Sequence, residues 1–326
     1  MGEIAQNIAE MKISGFTMVK NADKLYYPIK AAIKSILPIV DEFVVALGDC
    51  DDDDLTRKEI ESIGDPKIRI IDTVWDLTKH PNGTENAHQT DIAMKACTGD
   101  WLFYLQADEV IHENDHHEIV SKCKQYLHDP RIEGMLFNYR HFWGDYNHVH
   151  NAHGWYPKEI RIVRNHPDIH SWESAQSFRK IPGFSGKNYR QQEGTHKLKV
   201  ALLNAYVYHY GWVRPPYKMQ SKKQALDTIH KGEKKVQKMY ENQPKHFDYG
   251  PLNKIPVFTD THPTVMGEWI KRFNWADELQ YAGGTNPYRM KMKHEKLKYR
   301  VVTWLEHNVM GGRQLGSFKN YTIIEK

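Results

Sequence analysis

Residues 99–113 read GDWLFYLQADEVIHE. The apolar run 101–105 has the length and bulk of a buried strand, and it stops abruptly on Gln106, Ala107, Asp108 and Glu109. A buried strand that delivers two acids at its end points to an α/β sheet. In such sheets helices cover both faces and ligands meet the carboxyl ends of the strands.

The flanking sequence supports that frame. Upstream, ISGFTMVK (13–20) is a short buried strand stopped by Asn21. Pro28 suits the first turn of a helix, Ile29, Ala32, Ile33, Ile36 and Leu37 follow at helical spacing, and Pro38 ends it. EFVVAL (42–47) is a second strand, followed by an acidic loop and a helix near 54–63, and KIRII (67–71) is a third. A helix over 85–97, closed by Gly99, leads into the quoted strand. Strands alternating with short helices predict βαβ units and a mainly parallel sheet. Past residue 130 the rhythm changes. Strands at 134–144 and 159–165 are separated by a His- and aromatic-rich loop, and AYVYHYGWVR (205–214) is another apolar run ending in polar groups. A basic helix is predicted at 216–240, with two more near 263–273 and 289–308.

Composition narrows the class. A chain of 326 residues with 40% hydrophobic and 12% aromatic content builds a sizeable core, so global disorder is excluded. A net charge of only +4 lacks the basic excess of a dedicated nucleic-acid binder. Three scattered cysteines make neither a disulfide framework nor a CxxC metal site. No signal-peptide pattern or membrane-length apolar run is present, so a cytoplasmic location is expected. The Lys-rich helices at 216–240 and 289–300 fit either a solvated face or peripheral contact with an anionic membrane at its inner face.

Several motifs can carry chemistry, each with a plainer alternative. Asp108 can hold a hard divalent cation that leaves positions for phosphate oxygens, or it can cap the segment starting near Asn114. His209, at the end of an apolar strand, is a ligand for a Mn²⁺-type ion or a satisfied core residue, and Arg214 can pair with a phosphate. Glu173, in IHSWESAQSFRK (169–180), is a general base or a surface ion-pair partner. In GDCDDDDLT (48–56) part of the acidic run caps the next helix and one acid can meet a ligand. Histidines 112, 116, 117, 148, 150 and 153 lack zinc-site spacing. Phe142, Trp143, Tyr146, Trp155 and Tyr156 can stack on sugar rings.

In this order the pieces resemble an inverting, family 2 type glycosyltransferase of GT-A fold, the group that includes bacterial polysaccharide and lipopolysaccharide-core sugar transferases. The first strand closed by Asn21, the stretch SILPIVDEFVVALGDCDDDDLT, the helix and strand NAHQTDIAMKACTGDWLFYLQADE, and VYHYGWVR carry the resemblance over roughly residues 10–225. It implies a mainly parallel sheet flanked by helices, with a Rossmann-like nucleotide-sugar-binding half (10–130) and a mixed acceptor half (131–240). Residues 241–326 match nothing in the family and are expected to form a helical C-terminal extension.

By that resemblance Asp108 coordinates Mn²⁺ or Mg²⁺ bridging the donor diphosphate, Glu109 supports it and His209 completes the site. Thr17, Asn21 and Asp49 lie around the nucleotide with Gln106, Ala107 and Arg214, and Glu173 deprotonates the acceptor hydroxyl. The implied partners are a nucleotide-diphosphate sugar donor and a glycan or glycolipid acceptor. Two departures stand out: the first acid of the family's Asp-x-Asp motif is Gln106 here, and its Asp-Gly-Ser-type turn is replaced by Asp49, Cys50 and four aspartates. Two other readings share these features. A nucleotidyltransferase making nucleotide sugars would carry a Gly-rich basic loop after the first strand, which FTMVKNADKLYYP lacks. A catalytically inactive glycan-binding protein would use the aromatic stretch alone.

Overall fold

The computed structural model describes residues 10–316 and 319–325. Strands β1 (Ile13–Val19), β2 (Glu42–Leu47) and β3 (Ile68–Asp72) lie side by side in parallel. They are joined by α1 (Ile29–Ile36) and α2 (Thr56–Glu61). After α3 (Thr84–Lys95) the chain returns to the other flank of β1 as β4 (Trp101–Tyr104), so the order is β3-β2-β1-β4. This reversal between β1 and β4 is a topological switch point, where the connections diverge to opposite sides and leave a crevice at the strand ends.

The second half is mixed. The short β5 (Glu109–Ile111) and α4 (His116–Tyr126) precede β6 (Gly134–Trp143), β7 (Val149–His150) and β8 (Lys158–Arg164). β8 runs antiparallel to both β4 and β6 and joins the two halves into one sheet. The hairpin β9 (Ile169–Trp172) and β10 (Ser177–Lys180) leads to the long β11 (His196–Trp212), which is parallel to β6 and antiparallel to β5. The expected α/β class, parallel in its first half and mixed in its second, is therefore present.

Three elements differ from the sequence expectation. β11 begins at His196, well before residue 205, because its first half alternates exposed lysines with buried Leu198 and Val200. The basic helix is two, α5 (Pro216–Lys231) and α6 (Glu233–Tyr240), divided at Gly232, whose φ of 81° no helix accommodates. The C-terminal region is less helical than expected. It contains α7 (Gly267–Lys271) and α8 (Leu297–Asn308), and then adds a strand, β12 (Tyr321–Glu325), parallel to β11. Residues 289–296, expected to be helical, lack apolar periodicity; Arg289 there is held by Glu295 and Asp248.

Core side chains pack on both faces of the sheet, with Ile33, Phe43, Phe103 and Ile119 on one and Phe16, Tyr104, Val163 and Phe178 on the other. A third cluster is aromatic and continuous across residue 240. Phe142, Trp143, Tyr146, Tyr208 and Tyr210 pack with Tyr249, Leu252, Trp269 and Trp275. Burial of each is worth roughly 1.5–3 kcal/mol, so this cluster is a major stabilising unit. It also corrects the sugar-platform expectation: Phe142, Trp143 and Tyr146 are buried, with Phe142 stacked on Tyr210 at 4.7 Å. Among the described residues no helix is long and apolar enough to cross a membrane.

Candidate functional site

The site grows from the end of β4. Leu105 N–H donates to Phe16 O, and the buried Thr17 hydroxyl donates to Leu105 O at 2.6 Å, fastening β1 to β4 where both chains leave the sheet. Thr17 is thus spent on the backbone. A turn closed by Glu109 N–H to Gln106 O swings the chain into β5, where Glu109 is registered against His209 of β11. Tyr210 N–H donates to Asp108 O at 2.8 Å. The segments containing Asp108 and His209, about a hundred residues apart in sequence, are brought together by this ladder.

Glu109 does not face a ligand. Arg161 of β8 clasps it with two bonds, Nε to Oε2 at 2.7 Å and Nη2 to Oε1 at 2.8 Å, and the Tyr139 hydroxyl donates to Oε1 at 2.8 Å. All three side chains are buried. Oε2 also accepts from Gln106 N–H, so the pair holds the turn that presents Asp108. The expectation that Glu109 supports a metal meets a carboxylate whose two oxygens are already occupied.

Asp108 has different company. Its Oδ2 accepts from Lys222 Nζ of α5 at 3.0 Å and lies 3.8 Å from His209 Nε2, with Asp108 and Lys222 both buried. Lys222 also donates to Gly211 O at 2.7 Å. Burial alone would push the Asp108 carboxyl up; Lys222, His209 and Arg214 outweigh it and hold the group well below the carboxylate range. Burial, then Arg214, draws Lys222 down to about 8 against the pull of Asp108, so the ammonium persists at neutral pH. His209 is neutral there: burial lowers it to about 4. Its tautomer follows from the bonds. Tyr156 O can only accept, so His141 carries its proton on Nε2, accepts on Nδ1 from His209 Nδ1–H at 2.9 Å, and leaves His209 Nε2 bare.

Arg214 is fully buried beneath this group. Its guanidinium donates to Gly211 O and to Tyr26 O and lies over the Tyr27 ring. Among the described residues it forms no ion pair, and its Nε has no acceptor. Gly211 is shaped by the same crowding. A Cβ there would stand 2.4 Å from His209 Nε2 and 2.9 Å from Asp108 Oδ2.

A resident divalent ion does not fit these donors. One carboxylate oxygen and one imidazole nitrogen are available, Glu109 is engaged elsewhere, Gln106 is neutral, and Asp108 Oδ2 already bonds an ammonium. Among the described residues no three His, Cys, Asp or Glu side chains form a metal-holding group. Four of the histidines named from the sequence are likewise committed, His148 to Asp145, His153 to Glu306, His112 to Thr261 and His116 to Ser35 O, whereas the buried His150 Nε2 has no hydrogen-bond partner among the described residues.

The other expected residues lie at the ends of β1, β2 and β4 and in the turn between β9 and β10. The Gln106 amide donates to Ala175 O, which ties the β4 end to the turn between β9 and β10. Ala107 is buried in the core behind the turn. Glu173 sits in that hairpin turn with φ 56°, next to Ser174, which bonds Asn86 of α3 and His230 of α5. Among the described residues the Glu173 carboxylate makes no hydrogen bond, and its charge reaches Arg179 of β10. Asn21, also at positive φ, exchanges side-chain bonds with Asp51, and Asp54 accepts from Thr56 N–H at the start of α2. Asp49 pairs with Lys20 at 2.8 Å and accepts from Trp75 N–H, forming the far wall at the ends of β1 and β2.

The sequence reading missed Lys222, Arg161 and Tyr139. Lys222 is one lysine among several in a basic helix. Its neighbour Lys223 pairs with Asp227 on a more open face, and only the fold separates the two. Arg161 did carry a signal: a charged residue inside EIRIV, an otherwise apolar strand, calls for a buried acid.

No family model and no curated protein matches the chain. Among solved structures it is similar to residues 1-349 of S. aureus TarS in complex with UDP-GlcNAc, at 14% identity and TM-score 0.37 over 67% of this chain and 66% of that one. Against the longer TarS chain the match spans 39% of that chain's length, at TM-score 0.36. It is also similar to glucosyl-3-phosphoglycerate synthase from Mycobacterium tuberculosis, solved with Mn²⁺, UDP-glucose and phosphoglyceric acid. There the identity is 20% over 40% of this chain and 45% of that one, at TM-score 0.28. The mannosyltransferase PcManGT from Pyrobaculum calidifontis, solved with GDP-Man and Mn²⁺, matches at 18% identity and TM-score 0.29 over 39% of this chain and 35% of that one.

Proposed function

We propose that the chain is a glycosyltransferase that moves a sugar from a nucleoside-diphosphate donor to a hydroxyl of a glycan or glycolipid acceptor, with inversion at the anomeric carbon. The observation that carries this reading is the buried charge beyond the end of β4, where two cations, Lys222 and Arg214, outnumber the one carboxylate beside them, Asp108. A surplus of buried positive charge at the carboxyl ends of parallel strands is a setting for a phosphorylated ligand.

Each residue then has a role. Asn21, Lys20, Asp49 and Trp75 border the nucleotide at the ends of β1 and β2, Gln106 faces the ribose, and the diphosphate lies toward Asp108, His209 and Arg214. The acceptor oxygen attacks the anomeric carbon from the side opposite the phosphate. As that bond forms, the bond from carbon to phosphate oxygen breaks and its electron pair leaves with the nucleoside diphosphate. The acceptor proton passes to the Glu173 carboxylate, which supplies general-base catalysis. Stabilising the charge that develops on the leaving phosphate is the largest contribution the site makes.

The test is calorimetric titration with UDP, GDP, CDP and TDP, followed by donor turnover with wild type and Glu173→Gln. One diphosphate should bind in the micromolar range. Glu173→Gln should bind it within about threefold of wild type and lose roughly 10²–10⁴ in turnover. Failure of all four to bind refutes a donor site, and full turnover by Glu173→Gln removes Glu173 from the base role.

A further inference from the structure

We infer that Lys222 is the cation that receives the donor's diphosphate, in the place where a divalent metal was expected, so that donor binding needs no metal ion. This rests on the glycosyltransferase reading and adds to it which cation serves the leaving group.

The first support is position. Lys222 Nζ lies 3.0 Å from Asp108 Oδ2, the oxygen that also approaches His209 Nε2 at 3.8 Å, and α5 carries it there from outside the sheet. An ion bound to that oxygen would have to displace the ammonium or sit against a like charge.

The second is unused capacity. An ammonium has three N–H donors. Among the described residues two are taken by hydrogen bonds, to Asp108 and Gly211 O, and the third has no hydrogen-bond acceptor, although the ammonium also lies over the Tyr27 ring at 5.0 Å. Arg214 adds an unpartnered, buried Nε and no carboxylate of its own. Lys222 and Arg214 share one buried carboxylate, Asp108, and an anionic ligand would balance them. The missing Cβ at Gly211 lets His209 and Asp108 pack directly over the backbone whose carbonyl Lys222 also bonds.

The third is the closed state of the alternatives. Glu109 is locked to Arg161 and Tyr139, and Gln106 brings no charge, so neither neighbour adds a charged donor to Asp108 and His209. Lys222 also differs from the other lysines of α5 in being buried, whereas a lysine that only solubilised the helix would point to water.

The experiment is titration of wild type with UDP, GDP, CDP and TDP in excess EDTA and, separately, in Mn²⁺, repeated with Lys222→Met and Lys222→Arg. The expected result is one diphosphate bound with the same affinity, within about threefold, in both buffers. Lys222→Met should weaken it about 10- to 100-fold in EDTA, the range of a lost charge-assisted bond, and Lys222→Arg should keep most of it. Binding that appears only with Mn²⁺ overturns the inference and leaves the donor site standing. Equal binding by wild type and folded Lys222→Met in EDTA also overturns it. Binding of no diphosphate in either buffer refutes the glycosyltransferase reading itself. The wild-type comparison decides the metal question even if Lys222→Met fails to fold.

Discussion

Replacing Arg161 by Met should cost about 3–5 kcal/mol of stability, the range for removing one partner of a buried ion pair. The side chain is 1% exposed and Glu109 is 0% exposed, so neither charge can turn to water. The substitution removes the two bonds to Glu109, at 2.7 and 2.8 Å, and the two from Nη1 to Ile160 O and Gln176 O, at 2.8 and 3.1 Å. Met fills much of the stem, so the loss is mainly electrostatic. Glu109 keeps Tyr139 and Gln106 N–H, which places the expectation toward the lower end of the range. Urea denaturation followed by tryptophan fluorescence and far-ultraviolet dichroism measures this, with an unchanged denaturant slope as the two-state check. Because a neutral pair of similar volume tolerates burial, the double variant Arg161→Met/Glu109→Gln should lose at least about 1 kcal/mol less than the sum of the singles. A loss under about 1 kcal/mol for Arg161→Met, or strict additivity in the cycle, would falsify the view that this pair is a structural clamp on the Asp108 turn.

Gly211→Ala pushes a methyl against His209 and Asp108, so nucleoside-diphosphate affinity should fall about tenfold by calorimetry, with about 1–3 kcal/mol of overpacking cost in urea; wild-type affinity would show that the space is not part of the site. Burial raises Glu159 from its ordinary 4.5 to about 7 in the fold, so the native state binds a proton that the unfolded chain releases between those values. The Glu159 contribution to stability is therefore lost as pH rises from about 4.5 to 7, and Glu159→Gln, compared with wild type at the same pH, gains about 1–3 kcal/mol at pH 8 but little at pH 4. Urea midpoints at both pH values measure the difference, and an equal effect at the two would contradict it.

The first half of the fold was legible because its signals are local. Pro28 and Pro38 bracket α1, and β1, β2 and β4 are apolar runs ended by polar residues, so propensity, pattern and punctuation agree. The later differences share a cause. β12 and the first half of β11 are amphipathic strands without a strong apolar run, and their partners lie far away in sequence. Residues 289–296 are fixed by contacts of Arg289 rather than by periodicity. At the site the same division holds. Asp108 and His209 announce themselves at strand ends, and the fold brings them within 3.8 Å. Lys222 does not, because its burial depends on how α5 crosses the strand ends, from Asp108 to the Ser174 bond made by His230. The aromatic stretch near residue 142 reads equally as core or as sugar platform until the packing of residues 249–275 against it is known.

Two neighbouring acids, Asp108 and Glu109, separate structural from functional charge in this fold. Glu109 is matched: one carboxylate, one guanidinium in a two-bond clasp, one phenol and one backbone N–H, with each oxygen satisfied. A ligand entering there would break more bonds than it makes, so that cluster holds shape. Asp108 is outnumbered by Lys222 and Arg214 and faces a bare imidazole nitrogen, with donor capacity left over on both cations. Such an imbalance costs stability in the free protein, since buried charge is tolerated when it is paired. Binding an anion relieves it, so a ligand that supplies two phosphates should raise the unfolding temperature as it saturates the site. The residue beside this clamp is thus the one left available for chemistry, and the clamp fixes the turn that carries it.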